Sequence, residues 1–169
     1  RLGHAAAPAM SLRENTVITA AERKSLLKNG FIDWTAADQY TQNIIADFDV
    51  RTPGTHTPAG SLSGGNLQKF VVGREVLQNP KVFVVNQPTW GVDAAAAASI
   101  RQKLLDLADN GAGVIVISQD LDELLEISDR FCAINEGRLS TIVPTSTLEM
   151  DQIGLMMGGA TAEQEGAYA

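Results

Sequence analysis

Cysteine is nearly absent from this chain of 169 residues: Cys132 stands alone, which excludes an intrachain disulfide and fits a reducing compartment. In an apolar stretch, that thiol reads as core packing rather than as a nucleophile. Aromatic residues make up only 5% of the sequence. No apolar run approaches the roughly 20 residues that a membrane-spanning helix needs. Lys and Arg number 13 against 20 Asp and Glu, with no run of basic residues, so the formal charge of −7 supplies no electrostatic footprint for nucleic acid. The two histidines, His4 and His56, lie in loop-like segments without Cys or a carboxylate at ligand spacing, and the expectation is that no metal is bound. The opening Arg1-Leu2-Gly3-His4 has neither an initiator Met nor the form of a signal peptide, and it reads as an interior cut of a longer polypeptide.

What is present is an ordinary globular composition, 44% hydrophobic, long enough for one domain with a real core. Residues 1–60 read as mostly helical. Ser11-Leu12-Arg13-Glu14 has the form of a capping box, and Tyr40, Ile44, Ile45 and Phe48 recur at helical spacing after Thr35. Residues 51–60, rich in Pro, Gly and Thr, read as a loop. A helix is predicted from Gly65 to Leu77, stopped by Asn79-Pro80. Val82–Val85 and Val114–Ile117 are short continuous apolar runs, the form of strands buried on both faces. Between them Asp93 caps a helix that runs to Asp109, with Ala97, Ile100, Leu104 and Leu107 facing one way and Gly111 ending it. Asp120 with Glu123 opens a further helix whose acidic residues read as a solvated face. Phe131–Asn135 and Arg138–Val143 read as a strand pair around Glu136-Gly137. The methionines at 150, 156 and 157 are expected to pack a helix against the sheet. Alternation of strand and helix implies an α/β layer with a parallel sheet.

Ser63-Gly64-Gly65 at the start of a helix carries chemistry. The first amides of a helix have no internal partners and sit at the positive end of its dipole, so they attract anions. Glycines let a phosphate approach the backbone, and the Ser63 hydroxyl adds a donor. Taken alone, the same three residues also serve as a flexible cap. The wider order extends the pattern: Leu62-Ser63-Gly64-Gly65-Asn66-Leu67-Gln68-Lys69, Asn79-Pro80-Lys81, an apolar strand, Pro88-Thr89, then Gly91-Val92-Asp93. In this order the chain resembles the ATP-binding-cassette (ABC) ATPases from about Arg1 to Gly158. It is most similar to the second cassette of tandem-cassette subunits that energise import of simple sugars and nucleosides. Met10–Asn15 and the run Gln119-Asp120-Leu121-Asp122-Glu123-Leu124, leading to Ser128-Asp129-Arg130, support that subgroup.

The resemblance implies a partial P-loop NTPase fold: a helical signature subdomain over 1–75, the C-terminal part of an α/β core over 76–158, and a tail over 159–169 without order. It implies that two cassettes bury two ATP molecules between them. Leu62, Ser63, Gly64, Gly65, Asn66 and Gln68 then belong to the ATP held by the partner cassette, and Gly91, Val92 and Asp93 to the D-loop that communicates between sites. The implied partners are the N-terminal cassette of the same polypeptide and transmembrane permease subunits, and the place is the cytoplasmic face of the membrane. ATP and Mg²⁺ belong to the full-length assembly.

The departures from that pattern are equally informative. No G-x-x-x-x-G-K-[ST] phosphate loop occurs in the sequence. At the end of the first strand the family pattern carries Asp-Glu, for the metal and the attacking water; here stand Asn86 and Gln87. An amide is a poor ligand for a hard cation, and Gln87 cannot accept a proton. Gln119 stands where the pattern has the γ-phosphate-sensing His. Other readings stay open at this point: a polar strand end without catalytic history, engineered inactivation at Gln87, a soluble ABC ATPase of DNA repair or translation, or a non-hydrolytic binding module. A sheet edge left bare beside Val114–Ile117 is expected to pair with a second copy, or to be filled by Phe131–Asn135. One outcome follows from the missing groups. The isolated chain is expected to release no phosphate from ATP with Mg²⁺, and metal-dependent release abolished by changing Asn86 or Gln87 would overturn it.

Overall fold

In the computed structural model, which describes residues 5–159, the chain turns helical where Ser11 and Glu14 write a capping box. The Ser11 hydroxyl accepts from the Glu14 N–H at 3.2 Å, and the Glu14 carboxylate accepts from the Ser11 N–H at 2.7 Å, starting α1 (Leu12–Ala20). A hairpin absent from the sequence reading follows, β1 (Leu27–Lys28) antiparallel to β2 (Phe31–Ile32). Its turn residues Asn29 and Gly30 have φ of 53° and 82°, the left-handed pair that a two-residue hairpin loop requires. Helix α2 (Trp34–Asp47) begins before Thr35, because Asp33 caps it by accepting from the N–H groups of Thr35 and Ala36. On its expected face Ile44 is buried, as is the capping Phe48, while Tyr40 and Ile45 are half-buried.

The loop over 51–61 is pinned rather than free. Leu12 and Arg13 donate their N–H groups to the carbonyls of Thr57 and Thr55, and the Gly60 N–H reaches Pro8 O. Asp38 of α2 accepts from the Thr55 hydroxyl at 2.8 Å and pairs with Arg13 at 3.1 Å. Burial pushes the Asp38 carboxyl up, but that hydroxyl and the guanidinium outweigh it and hold it below the usual range.

Helix α3 (Gly64–Val76) comes next, and α1, α2 and α4 all pack on it. Phe70 is wholly buried. At Gly73 the Phe48 ring lies where a side chain would start: an added Cβ would meet it at 2.6 Å. Buried Arg74 donates to the carbonyls of Asn15 and Ala5, and buried Asn15 bonds in turn to Ala7, Met10 and Ser11. These polar groups are satisfied inside the fold and fasten the first segment to α3.

A parallel pair completes the first compact unit, which ends at Ile117. Strand β3 (Val82–Asn86) leads through α4 (Ala94–Asp109) to β4 (Gly113–Ile117), in the register Val82 to Gly113 and Asn86 to Ile117. Along α4 the buried residues are Ala96, Ile100, Leu104 and Leu107, so Ala96 rather than Ala97 holds the fourth position. The strands differ from the reading of two buried faces. Val82, Val84, Ile115 and Ile117 share one face by register and are 67, 59, 54 and 48% exposed, whereas Phe83 on the other face is buried. Continuous apolar sequence suits a strand between two layers, and within this unit only one face is covered.

The second unit starts at Ser118. Asp120 caps α5 (Leu121–Ile127) by accepting from the Glu123 N–H. Glu123 itself is only 2% exposed, with neither carboxylate oxygen hydrogen-bonded among the described residues, so this helix is not a uniformly solvated acidic face. Then come β5 (Arg130–Phe131), β6 (Ile134–Asn135), β7 (Arg138–Leu139) and β8 (Val143–Pro144). The expected strand pair is two pairs: β6 with β7 around Glu136-Gly137, whose φ are 46° and 77°, and β5 with β8. Phe131 therefore does not fill a place beside β4, whose single strand neighbour among the described residues is β3. Helix α6 (Met150–Met157) buries Ile153 and Met156 with Phe131 and Ala133, while Met150 and Met157 are exposed. The proposed tail, from residue 160 on, lies outside the described residues.

The close approach at Gly73 yields a stability test. Ala favours a helix over Gly by about 1 kcal/mol, whereas overpacking a filled site costs about 1–3 kcal/mol. Gly73→Ala is expected to destabilise the chain by about 1–2 kcal/mol in urea unfolding, and Phe48→Leu in the same chain to relieve part of that loss. A Gly73→Ala chain more stable than the parent would show that the ring yields freely.

Candidate functional site

The turn that opens α3 is held from both sides. The Ser63 side chain accepts from the backbone N–H of Asn66 at 3.4 Å and from its side-chain amide at 3.0 Å. Asn66 Oδ1 in turn accepts from the Arg51 N–H at 2.8 Å, fastening the end of the preceding loop to the turn. Ser63 and Gly64 are exposed and Leu62, Gly65 and Asn66 half-buried, so the donor-bearing residues face outward as the sequence pattern expects.

Gly65 faces the segment that follows β3. An added Cβ would meet Gly91 O at 3.3 Å and Val92 Cα at 3.8 Å, so the absence of a side chain there is a packing requirement. Ser63, Gly65, Asn66, Arg51, Lys69 and Asp93 line one cavity of about 200 Å³. A second, of about 170 Å³, shares Arg51, Lys69 and Asp93 and extends along α4 to Ser99 and Ile100. The fold thus brings the turn and Asp93 together, as the sequence reading asks.

Charge around these cavities is arranged unevenly. Lys69 is largely buried and its ammonium donates to the Asp49 carbonyl at 2.9 Å and carboxylate at 3.0 Å. Asp93 accepts from the Ala96 N–H at 2.9 Å as the cap of α4. That hydrogen bond holds its carboxyl below the usual range, with the charge of Lys69 acting in the same direction. Arg51, exposed, lines both cavities. The sequence reading leaves Arg51, Lys69 and Asp49 without a role. No motif spacing marks them, since they become neighbours of Ser63 only when α2 and α3 pack.

Gln68 corrects the reading most clearly. It is expected beside a nucleotide, but it is 6% exposed and its amide nitrogen donates inward, to Gln87 O at 3.1 Å and Pro88 O at 2.8 Å. Its place is behind the turn, not on the surface that a ligand meets.

Asn86 ends β3 in register with Ile117 and is exposed, while half-buried Gln87 takes a left-handed φ of 52°. The Gln87 N–H donates to Ile117 O at 2.7 Å, prolonging the ladder by one bond. Neither side chain is a carboxylate, so this strand end does not fit a hard divalent cation. Among the described residues no group of three or more His, Cys, Asp or Glu could hold a metal. Gln119 is exposed and belongs to the second unit, beside the cap Asp120.

No protein-family model matches the chain. It is 36% identical over 155 residues to the nucleoside import ATP-binding protein NupA of Lactococcus lactis subsp. cremoris (strain MG1363), covering 92% of this chain and 31% of that protein. It is 40% identical over 126 residues to the galactose/methyl galactoside import ATP-binding protein MglA of Escherichia coli (strain K12), covering 75% of this chain and 25% of that one. The chain therefore spans less than a third of the length of these curated relatives. Among solved structures, the ADP- and Pi-bound dimer of the ATP-binding cassette MJ0796 in a post-hydrolysis state superposes with a TM-score of 0.66 at 18% identity, over 82% of this chain and 58% of that one. That likeness establishes a shared fold, with part of a cassette covered.

Asp93 offers a test of the charge arrangement. Its folded pKa is depressed, so its charge stabilises the fold at pH above the unfolded carboxyl value of about 3.9. That contribution is lost as pH falls through the lower folded value. Asp93→Asn keeps a capping acceptor without the charge. The parent is expected to unfold at higher urea than this variant at pH 7, with the gap closing on acidification below about pH 4. A gap that persists in acid would assign the effect to shape rather than charge.

Proposed function

We propose that this chain, which belongs to the ATP-binding-cassette ATPases, forms part of the second cassette of a tandem import ATPase for simple sugars or nucleosides. In this reading it presents Ser63, Gly64, Gly65 and Asn66 to ATP held by the first cassette. Its own strand end, Asn86-Gln87, takes little part in hydrolysis. The observation that carries the reading is the contrast between an outward-facing donor turn beside Asp93 and a strand end without either carboxylate. The printed functions of the nucleoside and galactoside import relatives support the substrate class.

ATP supplies the phosphoryl group whose transfer to water drives import. The chain's part is electrostatic. The turn meets the terminal phosphate with donors held in place before the nucleotide arrives, so no reorganisation is needed as charge develops. Gly65 leaves room for that approach, and Asp93 keeps the adjacent segment in register through the cap of α4. Mg²⁺ is held elsewhere in the assembly, since Asn86 and Gln87 do not suit it. No described helix is long and apolar enough to cross a membrane. Attachment to the cytoplasmic face is therefore assigned to contacts with the permease subunits. The unpaired edge of β4 is a candidate for self-association when the chain is isolated.

Steady-state ATP turnover of the assembled importer tests the division of labour. Loss of one preorganised donor typically costs about 10²–10³ in rate. Gly65→Asp places a carboxylate where phosphate must sit and presses on Gly91 O, so it is expected to reduce turnover at least about 100-fold. Asn86→Ala is expected to leave most of it. The reverse order of effects would sink the assignment.

A further inference from the structure

Gln68 and Gly65 lie three residues apart on α3, so they share one face of the helix. That face meets both ends of the segment running from Gln87 to Val92. Gly65 packs on Gly91 and Val92 at one end, and the Gln68 amide donates to Gln87 O and Pro88 O at the other. The segment itself is wound tight: the Trp90 N–H reaches Gln87 O and the Val92 N–H reaches Thr89 O, each at 3.3 Å. Pro88 is fully buried beneath it. Its first residue, Gln87, holds a left-handed φ of 52° without being glycine, a conformation that persists only where surrounding contacts over-determine it. Those contacts are the Ile117 carbonyl on its N–H, and Gln68 with the Trp90 N–H on its carbonyl.

We propose that Gln68 is a positioning residue that locks the signature turn of α3 to the Gln87–Val92 segment, so that turn and segment move as one body when the turn engages a phosphate. The inference rests on the trans-signature reading above. The two carbonyls that Gln68 serves belong to adjacent residues at the very point where the chain leaves β3. A shift of α3 is therefore passed to the backbone at Gln87 and, through Gly91, to Asp93 and the start of α4. Two amide hydrogens of one buried side chain suit this task, because neither carbonyl can be left unpaired in the interior without cost.

The test uses the assembled importer and compares kcat with KM for ATP. Gln68→Met keeps length and volume but removes both donors. A catalytic segment displaced by an ångström can cost up to about 10²-fold. The expectation is a fall in kcat of about 10-fold or more, with KM unchanged because Ser63 and Gly65 are intact. A purely structural role would lower the yield of folded assembly and leave kcat per assembly untouched. Gln87→Gly, which accepts a left-handed φ without strain, is expected to restore most of the lost kcat in the Gln68→Met background, relative to Gln87→Gly alone. Should the Met variant not assemble, Gln68→Asn, whose amide falls a methylene short, carries the same expectations. A kcat within twofold of the parent, or a loss that Gln87→Gly fails to recover, overturns the proposal. Gly65→Asp is measured alongside. If it turns over normally, the trans-signature reading fails; if it is inactive while the Gln68 variants match the parent, only the positioning role falls.

Discussion

Close packing along α3 is the constraint on which the rest of the first unit depends. Near one end of the helix Gly73 admits the Phe48 ring, and at the other Gly65 admits the Gly91 carbonyl. Neither position has room for a side chain, so α3 lies against the end of α2 on one side and against the segment after β3 on the other. A filled interior transmits displacement because its parts cannot be compressed independently. The turn that faces solvent at Ser63 is thus backed by a helix with little freedom to shift alone. Such backing is what preorganisation requires, since donors that relax on meeting a charge give up part of their advantage.

Electrostatics around the turn follow from the same packing. Lys69 points back from the α3 face toward Asp49, where a carbonyl and a carboxylate satisfy it, so its charge is largely balanced within the fold. Asp93 is drawn to the N–H groups at the start of α4. Arg51 stands at the rim of both cavities, with its backbone tied to Asn66. An anion approaching Ser63 meets outward donors and an exposed guanidinium, while the nearest carboxylates are engaged by neighbours. The local field can attract phosphate even though the chain as a whole carries −7.

The parallel pair shows the opposite economy. One face of β3 and β4 is covered, while Val82, Val84, Ile115 and Ile117 stand exposed on the other. Apolar surface of that kind on a central strand marks a place where further structure packs in a complete α/β domain. It agrees with the short share of the relatives' length that this chain spans. The strand end carries amides where the family pattern has carboxylates, so its shape is kept and its acid-base chemistry is gone. The retained shape has a structural use: the backbone at Gln87 is bonded on both its N–H and its carbonyl.

Local chemistry was readable from sequence wherever one short segment decides the outcome. The Ser11–Glu14 capping box, the Asp93 and Asp120 caps and the Glu136-Gly137 turn depend on residues within a few positions of one another, and each forms as the spacing predicts. Asn29-Gly30 carried an equally local hairpin signal that the reading left unused. The order from Leu62 to Asp93 likewise marked the fold family, because each part of that pattern answers a fixed backbone need. Tertiary structure alone decided which groups share a site. It turned Gln68 inward, brought Arg51 and Lys69 beside Ser63, buried Glu123 and left one face of the sheet bare. Periodicity tells which side of an element is apolar, but not what lies opposite; that depends on packing between segments far apart in the chain, whose energies no local pattern encodes.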